Sequence, residues 1–125
     1  DARIAKVNGA LGSIKASAAL AHSVQLTQGL APGTSVTMEG IVVTMVNGYP
    51  TASSIAIAAA AGITAQDFSI GAPSGVAGGV NQIRIASDIN HPNCSVTYTE
   101  ALPGAAPIYS NALDPSAAVD RTACT

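Results

Sequence analysis

The chain has 125 residues, a formal net charge of −2 and only 10% charged residues. This length is typical of one domain with a single hydrophobic core, and five dispersed basic residues provide no electrostatic footprint for nucleic acid or an anionic membrane. The surface must therefore be formed mostly by Ala, Ser, Thr, Asn and Gly, which is typical of a subunit buried in an assembly and also of a weakly charged secreted protein.

Residues 1–28 are predicted to form one long amphipathic helix. Apolar residues recur at alternating steps of three and four, which places them on one stripe of an α-helix that we expect to pack on a sheet. These positions are Ile4, Val7, Leu11, Ile14, Ala18 and Ala21. Gly29 and Pro32 follow and are typical of a helix end. The helix would be about 42 Å long in a domain with a radius of gyration of about 14 Å, so we expect it to project beyond the domain as part of a longer helix. The alternative is an ordinary long core helix.

The segment after the helix is predicted to contain a hairpin and a short second helix. Residues 35–38 and 41–46 are rich in β-forming residues, and the Glu39-Gly40 link between them favours a two-residue turn. Residues 47–50 are predicted to form a turn. Thr51 or Ser53 is then expected to cap an Ala-rich helix that ends at Gly62.

The second half of the chain is predicted to be mainly strand. Residues 71–79 are rich in Gly and are expected to form a flexible loop. Residues 81–87 and 95–99 alternate between apolar and polar side chains, as half-buried strands do, and a polar turn at 88–93 joins them. One long helix followed by antiparallel strands indicates an α+β fold in which the helix stripe covers a sheet.

Two cysteines, Cys94 and Cys124, are expected to form a disulfide that ties down the C-terminal end of the chain. Residues 102–118 are rich in Pro, Gly, Ala and Ser and would otherwise fray. Closing a loop of about 31 residues would stabilise the fold by about 3.5 kcal/mol. A disulfide implies an oxidising compartment, whereas the alternative is two unpaired thiols in a cytosolic protein. No His lies at metal-ligand spacing from either Cys, so a zinc site is not predicted.

The chain is predicted not to be an enzyme. His22 lies in the long helix and His91 in a turn, and neither is accompanied by a nucleophile elbow or a phosphate-binding loop. No cofactor is predicted, although Asp114, Asp120 and Ser116 offer oxygen ligands of the kind that Ca²⁺ prefers. The alternative for these residues is two solvated, helix-capping aspartates.

Three short motifs indicate a family. They are the opening Asp-Ala-Arg-Ile-Ala-Lys-Val-Asn helix, a Met-Val-Asn-Gly-Tyr-Pro turn and a Cys-Ser-Val-Thr-Tyr-Thr-Glu strand leading to a near-terminal Cys. In these motifs, and across essentially the whole chain, the sequence resembles a type IV pilin, most closely the mannose-sensitive haemagglutinin (MSHA) pilin group. The family's Gly-Phe-Thr-Leu-x-Glu processing site and the hydrophobic segment behind it are not among these 125 residues. We expect both upstream of Asp1.

The resemblance implies a structural subunit of a type IV pilus that serves bacterial surface adhesion, motility or both. Pilins of this family begin with a long bent helix that is methylated at its start. Its first half anchors the precursor in the inner membrane, with the globular domain in the periplasm. The same half later forms the filament core. Residues 1–28 would be the second half of that helix. The region 94–124, bounded by the two cysteines, would face solvent, adhesion targets or neighbouring subunits.

The partners implied by the resemblance are identical subunits in an extracellular helical filament, with no nucleic acid. Small residues on a second helix face, Ala5, Gly9, Gly12 and Ala16, would let a neighbouring helix approach closely, although an Ala-rich composition also accounts for them. The alternatives are a pseudopilin of a type II secretion system and an unrelated secreted binding module.

Overall fold

A computed structural model gives an α+β fold that begins with one long helix, as the sequence predicts. The structure describes residues 2–76, 78–111 and 124–125. In chain order the elements are α1 (Ala2–Thr27), β1 (Val36–Met38), β2 (Ile41–Val43), β3 (Met45–Val46), β4 (Tyr49–Pro50), α2 (Ile57–Ala60), β5 (Ser69–Ile70), β6 (Ser74–Val76), β7 (Val80–Ala86), β8 (Ser95–Thr99) and β9 (Ile108–Asn111). The predicted disulfide between Cys94 and Cys124 is confirmed.

The strands of the described residues form three antiparallel sheets. Two are small hairpins, β1 with β2 and β3 with β4. The third is a five-stranded sheet in which β5 and β6 both pair with β7, β7 pairs with β8, and β8 pairs with β9. The register places Ile83 opposite Tyr98 and Ile85 opposite Val96, so the apolar residues of the two long strands share one face.

The main core lies between α1 and this face of the five-stranded sheet. Val7 and Ile14 of the helix are fully buried in one cluster with Ile83 and Ile85, while Ile4 and Leu11 are partly buried against it. Tyr98 completes the cluster, and its hydroxyl donates a 2.6 Å hydrogen bond to the carbonyl oxygen of Pro50. Burial raises the pKa of Tyr98 far above its usual value, which keeps the phenol neutral and available as a donor.

A second core holds the C-terminal half of α1 against the two hairpins. Ala21 is fully buried with Val36, Val43 and Met45. Next to this cluster, the ring of His22 stacks on Tyr49 with centroids 4.2 Å apart, and its Nδ1 lies 2.6 Å from the carbonyl oxygen of Gly48. This carbonyl accepts a hydrogen bond, so Nδ1 is the protonated nitrogen.

Gln25 binds the segment that follows the C-terminal end of α1. Its buried side-chain amide donates to the carbonyl oxygens of Pro32 and Thr34, at 3.2 Å and 2.9 Å. Gly29 ends the helix with a φ of +66°, the left-handed conformation that glycine adopts without strain.

The predicted turns are present, with one boundary shifted. Glu39 and Gly40 have φ values of +49° and +79° and form the two-residue turn between β1 and β2. The turn predicted over residues 47–50 is shorter than expected, because Asn47 and Gly48 alone reverse the chain with φ values of +52° and +92°. The two residues that follow them pair with β3 as strand β4.

Two local predictions are wrong. The expected flexible loop over residues 71–79 contains β6, which pairs with β7, and Gly78 and Gly79 with positive φ lie in the connection between these two strands. Neither Thr51 nor Ser53 caps α2: the N-cap residue is Ala56, which has no side-chain hydrogen bond.

One buried carboxylate links the separate parts of the fold. Glu100 follows β8 and is only 6% exposed. Its two carboxylate oxygens accept hydrogen bonds from the backbone N–H groups of Ala52 and Asn81, at 2.8 Å and 2.9 Å. Because each oxygen satisfies a different backbone donor, Glu100 joins the segment before α2 to the start of β7.

Candidate interaction surface

One side of α1 carries small side chains and faces away from the core. Ala5, Gly9, Gly12 and Ala16 are all exposed, and we call them the small-residue face. Their spacing of four, three and four residues keeps them on one side of the helix, and the five-residue step from Val7 to Gly12 places them about 140° from the buried stripe. A Cβ atom added at Gly9 or Gly12 would meet nothing within 4 Å. The part of the chain that the structure describes therefore leaves this face uncovered.

The two sides of α1 differ less in hydrophobicity than the two sides of a typical amphipathic surface helix. Its exposed side is built mainly from Ala, Gly and Ser, and it also carries Leu20 and Leu26, which are 54% and 64% exposed. A helix with little charge on any side is generally covered on most sides. The described structure covers one stripe of it.

The first turns of α1 contact the rest of the domain through Arg3 and Lys6. These contacts correct the expectation that the described helix projects from the domain. Arg3 Nε lies 3.3 Å from Asp88 Oδ2, and Arg3 Nη1 donates a 3.3 Å hydrogen bond to the carbonyl oxygen of Cys124. Lys6 Nζ donates to the carbonyl oxygen of Ser87 at 3.0 Å and lies 4.8 Å from the ring centroid of Phe68. The described helix therefore lies along the domain from its first turn.

The disulfide connects the end of the chain to the same region. Cys94 immediately precedes β8, and both cysteines are fully buried in the cluster that contains Val7 and Ile14. Cys124 is thus bonded covalently to Cys94, and its carbonyl oxygen also accepts the hydrogen bond from Arg3 at the start of α1.

A polar cluster at the turn before Cys94 does not have the geometry of a catalytic triad. His91 Nδ1 lies 2.7 Å from Asp88 Oδ1, and the backbone N–H of Asn90 donates to the same oxygen at 2.9 Å. The hydrogen bond from His91 is the main cause that lowers the pKa of Asp88 to about 2. The Ser87 hydroxyl donates to Asp88 at 3.3 Å, so it is not aligned with the imidazole as an activated nucleophile would be.

A groove of about 450 Å³ lies beside this cluster, between the start of α1 and the segment before β5. Lys6, Phe68 and Asp88 line it. Their polar groups are already engaged within the chain, because the Lys6 amine bonds Ser87 and the Asp88 carboxylate bonds Arg3 and His91. The groove therefore has few unpaired polar groups to orient a ligand.

Asp114, Asp120 and Ser116, which offer oxygen ligands of the kind that Ca²⁺ prefers, lie outside the described residues. Within residues 2–76, 78–111 and 124–125, no group of three or more His, Cys, Asp or Glu side chains could hold a metal ion. In the same part of the chain, no helix has both the length and the apolar character needed to cross a bilayer. No protein-family model, curated protein or solved structure matches the chain.

Proposed function

We propose that this chain is the globular region of a type IV pilin, nearest the MSHA group, and that it polymerises into a filament on the bacterial surface for adhesion, motility or both. The three sequence motifs support the proposal. A long helix at the start of an α+β fold and a disulfide that reaches the penultimate residue are compatible with it. The observation that carries it is the small-residue face of α1.

The two glycines on this face have no evident use within a single subunit. Each weakens an α-helix by about 1 kcal/mol relative to Ala. Neither has a positive φ, and neither is crowded by a neighbouring atom, so the subunit would accept a side chain at both. A second helix packed on this face would need them, because small residues allow helix axes to approach closely. Gly9 and Gly12 are therefore the residues we assign to contact between subunits.

The remaining parts of the proposal follow from the pilin assignment. The partners are identical subunits, and an apolar segment upstream of these residues anchors the precursor in the inner membrane before assembly. The disulfide fits a domain that matures in the periplasm and functions outside the cell, because both compartments are oxidising. The exposed part of the region 94–124 then faces solvent, adhesion targets or neighbouring subunits.

The proposal is tested by comparing two substitutions of the same kind in cells that produce the full-length chain. Gly12→Leu adds a side chain to the small-residue face, and Gly33→Leu adds the same side chain at an exposed loop position where a Cβ atom also meets nothing within 4 Å. We expect Gly12→Leu to abolish surface filaments in electron micrographs while the folded subunit still accumulates. Gly33→Leu is expected to leave the filaments intact.

Deletion of the gene separates the alternatives. Loss of the filaments supports the pilin proposal. Intact filaments with a block in export of a folded protein would instead identify a type II secretion pseudopilin. Filaments and export both unaffected would favour a secreted binding module.

A further inference from the structure

Most charged side chains in the described part of the chain have a partner within the chain. Among the basic residues, Arg3 bonds Asp88, Lys6 bonds the Ser87 carbonyl, and Lys15 lies 5.5 Å from the ring centroid of Tyr109.

The acidic side chains follow the same rule. Asp67 accepts a hydrogen bond from Thr64, Asp88 accepts from Arg3 and His91, and Glu100 accepts from two backbone N–H groups. Within the described residues, two charged side chains remain without a hydrogen bond, an ion pair or a ring contact, namely Arg84 and Glu39. Their charges are opposite.

Arg84 lies in a polar groove on the outer face of the five-stranded sheet. It is an exposed residue of β7, the strand that pairs with β5, β6 and β8, and it stands opposite Thr97 in the register. The groove has a volume of about 230 Å³, and none of the described residues that line it is acidic. Ser74, Gln82 and Thr97 line the same groove and carry hydroxyl and amide groups. This composition suits a carboxylate, which arginine binds through two parallel hydrogen bonds.

The size of the groove favours a protruding side chain over a free ligand. Pockets that hold small molecules usually measure about 300–1,000 Å³, whereas this groove offers about 230 Å³. A single acidic side chain carried on another protein surface meets both requirements, namely a carboxylate and a small volume.

Glu39 is such a side chain. It is the first of the two turn residues between β1 and β2, it is exposed, and its φ of +49° belongs to a tight turn that holds the backbone in one conformation. Its hairpin belongs to a different sheet from β7. Glu39 and Arg84 of one chain form no ion pair with each other, although each remains available to a second copy.

We propose that the Glu39 carboxylate of one copy docks in the Arg84 groove of the next copy. The inference rests on the proposed filament, and it identifies one contact between the globular domains. In a filament the contact is heterologous, so each subunit leaves a free surface for the next one, whereas the same two residues paired reciprocally would close a dimer. A repeated contact of this kind extends a filament.

The proposal is tested by exchanging the two charges in the full-length chain. Filaments sheared from cells are measured for Arg84→Glu, for Glu39→Arg, for the double exchange, and for cells that produce the two single variants together. We expect each single variant to yield about tenfold fewer filaments, because it places like charges in every contact. The double variant and the mixture are expected to recover to within about twofold of the original chain, since both restore opposite charges. Gln66→Glu adds a charge at an exposed position elsewhere and serves as the control.

The outcomes separate this inference from the proposed function. Single variants that keep normal filament yields would overturn the contact and leave the pilin proposal standing. The same conclusion holds if the single variants lose filaments and neither the double variant nor the mixture recovers them. If the original chain forms no filaments at all, the proposed function fails and the contact fails with it. Thermal melting of each variant domain establishes that a lost filament does not reflect a lost fold.

Discussion

Breaking the disulfide tests how strongly the fold depends on the link between β8 and the end of the chain. Cys94 and Cys124 are 30 residues apart in sequence and fully buried. In the chain-entropy model, closing a loop of this size stabilises the folded state by about 3.5 kcal/mol. A domain of this length gains about 0.26 kcal/mol/K of entropy when it unfolds. Loss of the bond is therefore expected to lower the melting temperature by about 13 °C.

The assay is thermal unfolding followed by circular dichroism, with and without reductant. The oxidised chain is expected to melt about 13 °C above both the reduced chain and a Cys94→Ala/Cys124→Ala double variant. The double variant is the control, because reductant should not change its melting temperature. Hydrogen exchange should show α1, β7 and β8 still protected at 25 °C, since their core contacts remain. A melting temperature of the original chain that does not respond to reductant would refute the assigned role of the bond.

Further substitutions test three individual contacts. Glu100→Gln replaces a carboxylate oxygen with an amide that faces a backbone N–H, and it is expected to lower the free energy of unfolding in urea by about 2 kcal/mol; an unchanged urea midpoint would contradict the buried link. The pKa of Asp88, about 2, lies below its usual value of 3.8, so the carboxylate stabilises the fold above pH 3.8 and this contribution is lost as the pH falls through 2. In Asp88→Asn, the melting temperature should therefore fall less steeply over this pH range. His91→Ala should raise the pKa of Asp88 measured by NMR. A pKa of 3.8 for Asp88 in the original chain would contradict the hydrogen bond from His91. Gly48→Ala is expected to lower the unfolding free energy by about 2–3 kcal/mol, because Gly48 has a φ of +92° and the added Cβ atom would lie 3.2 Å from the His22 ring. Gly40→Ala is the control, because it causes only the backbone strain of about 1 kcal/mol. Equal losses of the two variants in urea denaturation would argue against the contact between Gly48 and His22.

The features that the sequence predicts correctly are those with strong local signals. The helix follows from its apolar period and ends at Gly29, and the first hairpin follows from Glu39-Gly40 between two β-rich runs. Alternation also predicts the strands β7 and β8, and β7 is half-buried as expected, whereas β8 is buried on both faces. In the helix, the hairpin and β7, the local preference of the residues agrees with their tertiary surroundings.

The features that the sequence does not predict depend on partners that are distant along the chain. β5, β6 and β9 have two to four residues each and contain Ser, Gly or Asn, so they are strands only because β7 or β8 lies beside them. A weak local preference of this kind is overridden by tertiary pairing. No role of Glu100 is predicted from the sequence, because the groups that donate hydrogen bonds to it are two backbone N–H groups from other parts of the chain.

The candidate interaction surface also has one part that the sequence predicts and one part that only the structure shows. The spacing of Gly9 and Gly12 places both on one helix side, and the structure adds that this side is exposed and uncrowded. The absence of partners at Arg84 and Glu39, within the residues that the structure describes, could not be inferred from spacing, because it depends on which charges meet in the fold.

The most direct test of the filament proposal is to identify the protein that forms the surface fibres of the source cells. Filaments are sheared from the cells, purified, and analysed by intact mass and N-terminal sequencing. The proposal predicts that this chain is the main component and that a segment of about 20 apolar residues, long enough to span a bilayer, precedes Asp1. A filament fraction without this chain, together with its recovery as a monomer in the culture medium, would contradict the proposal.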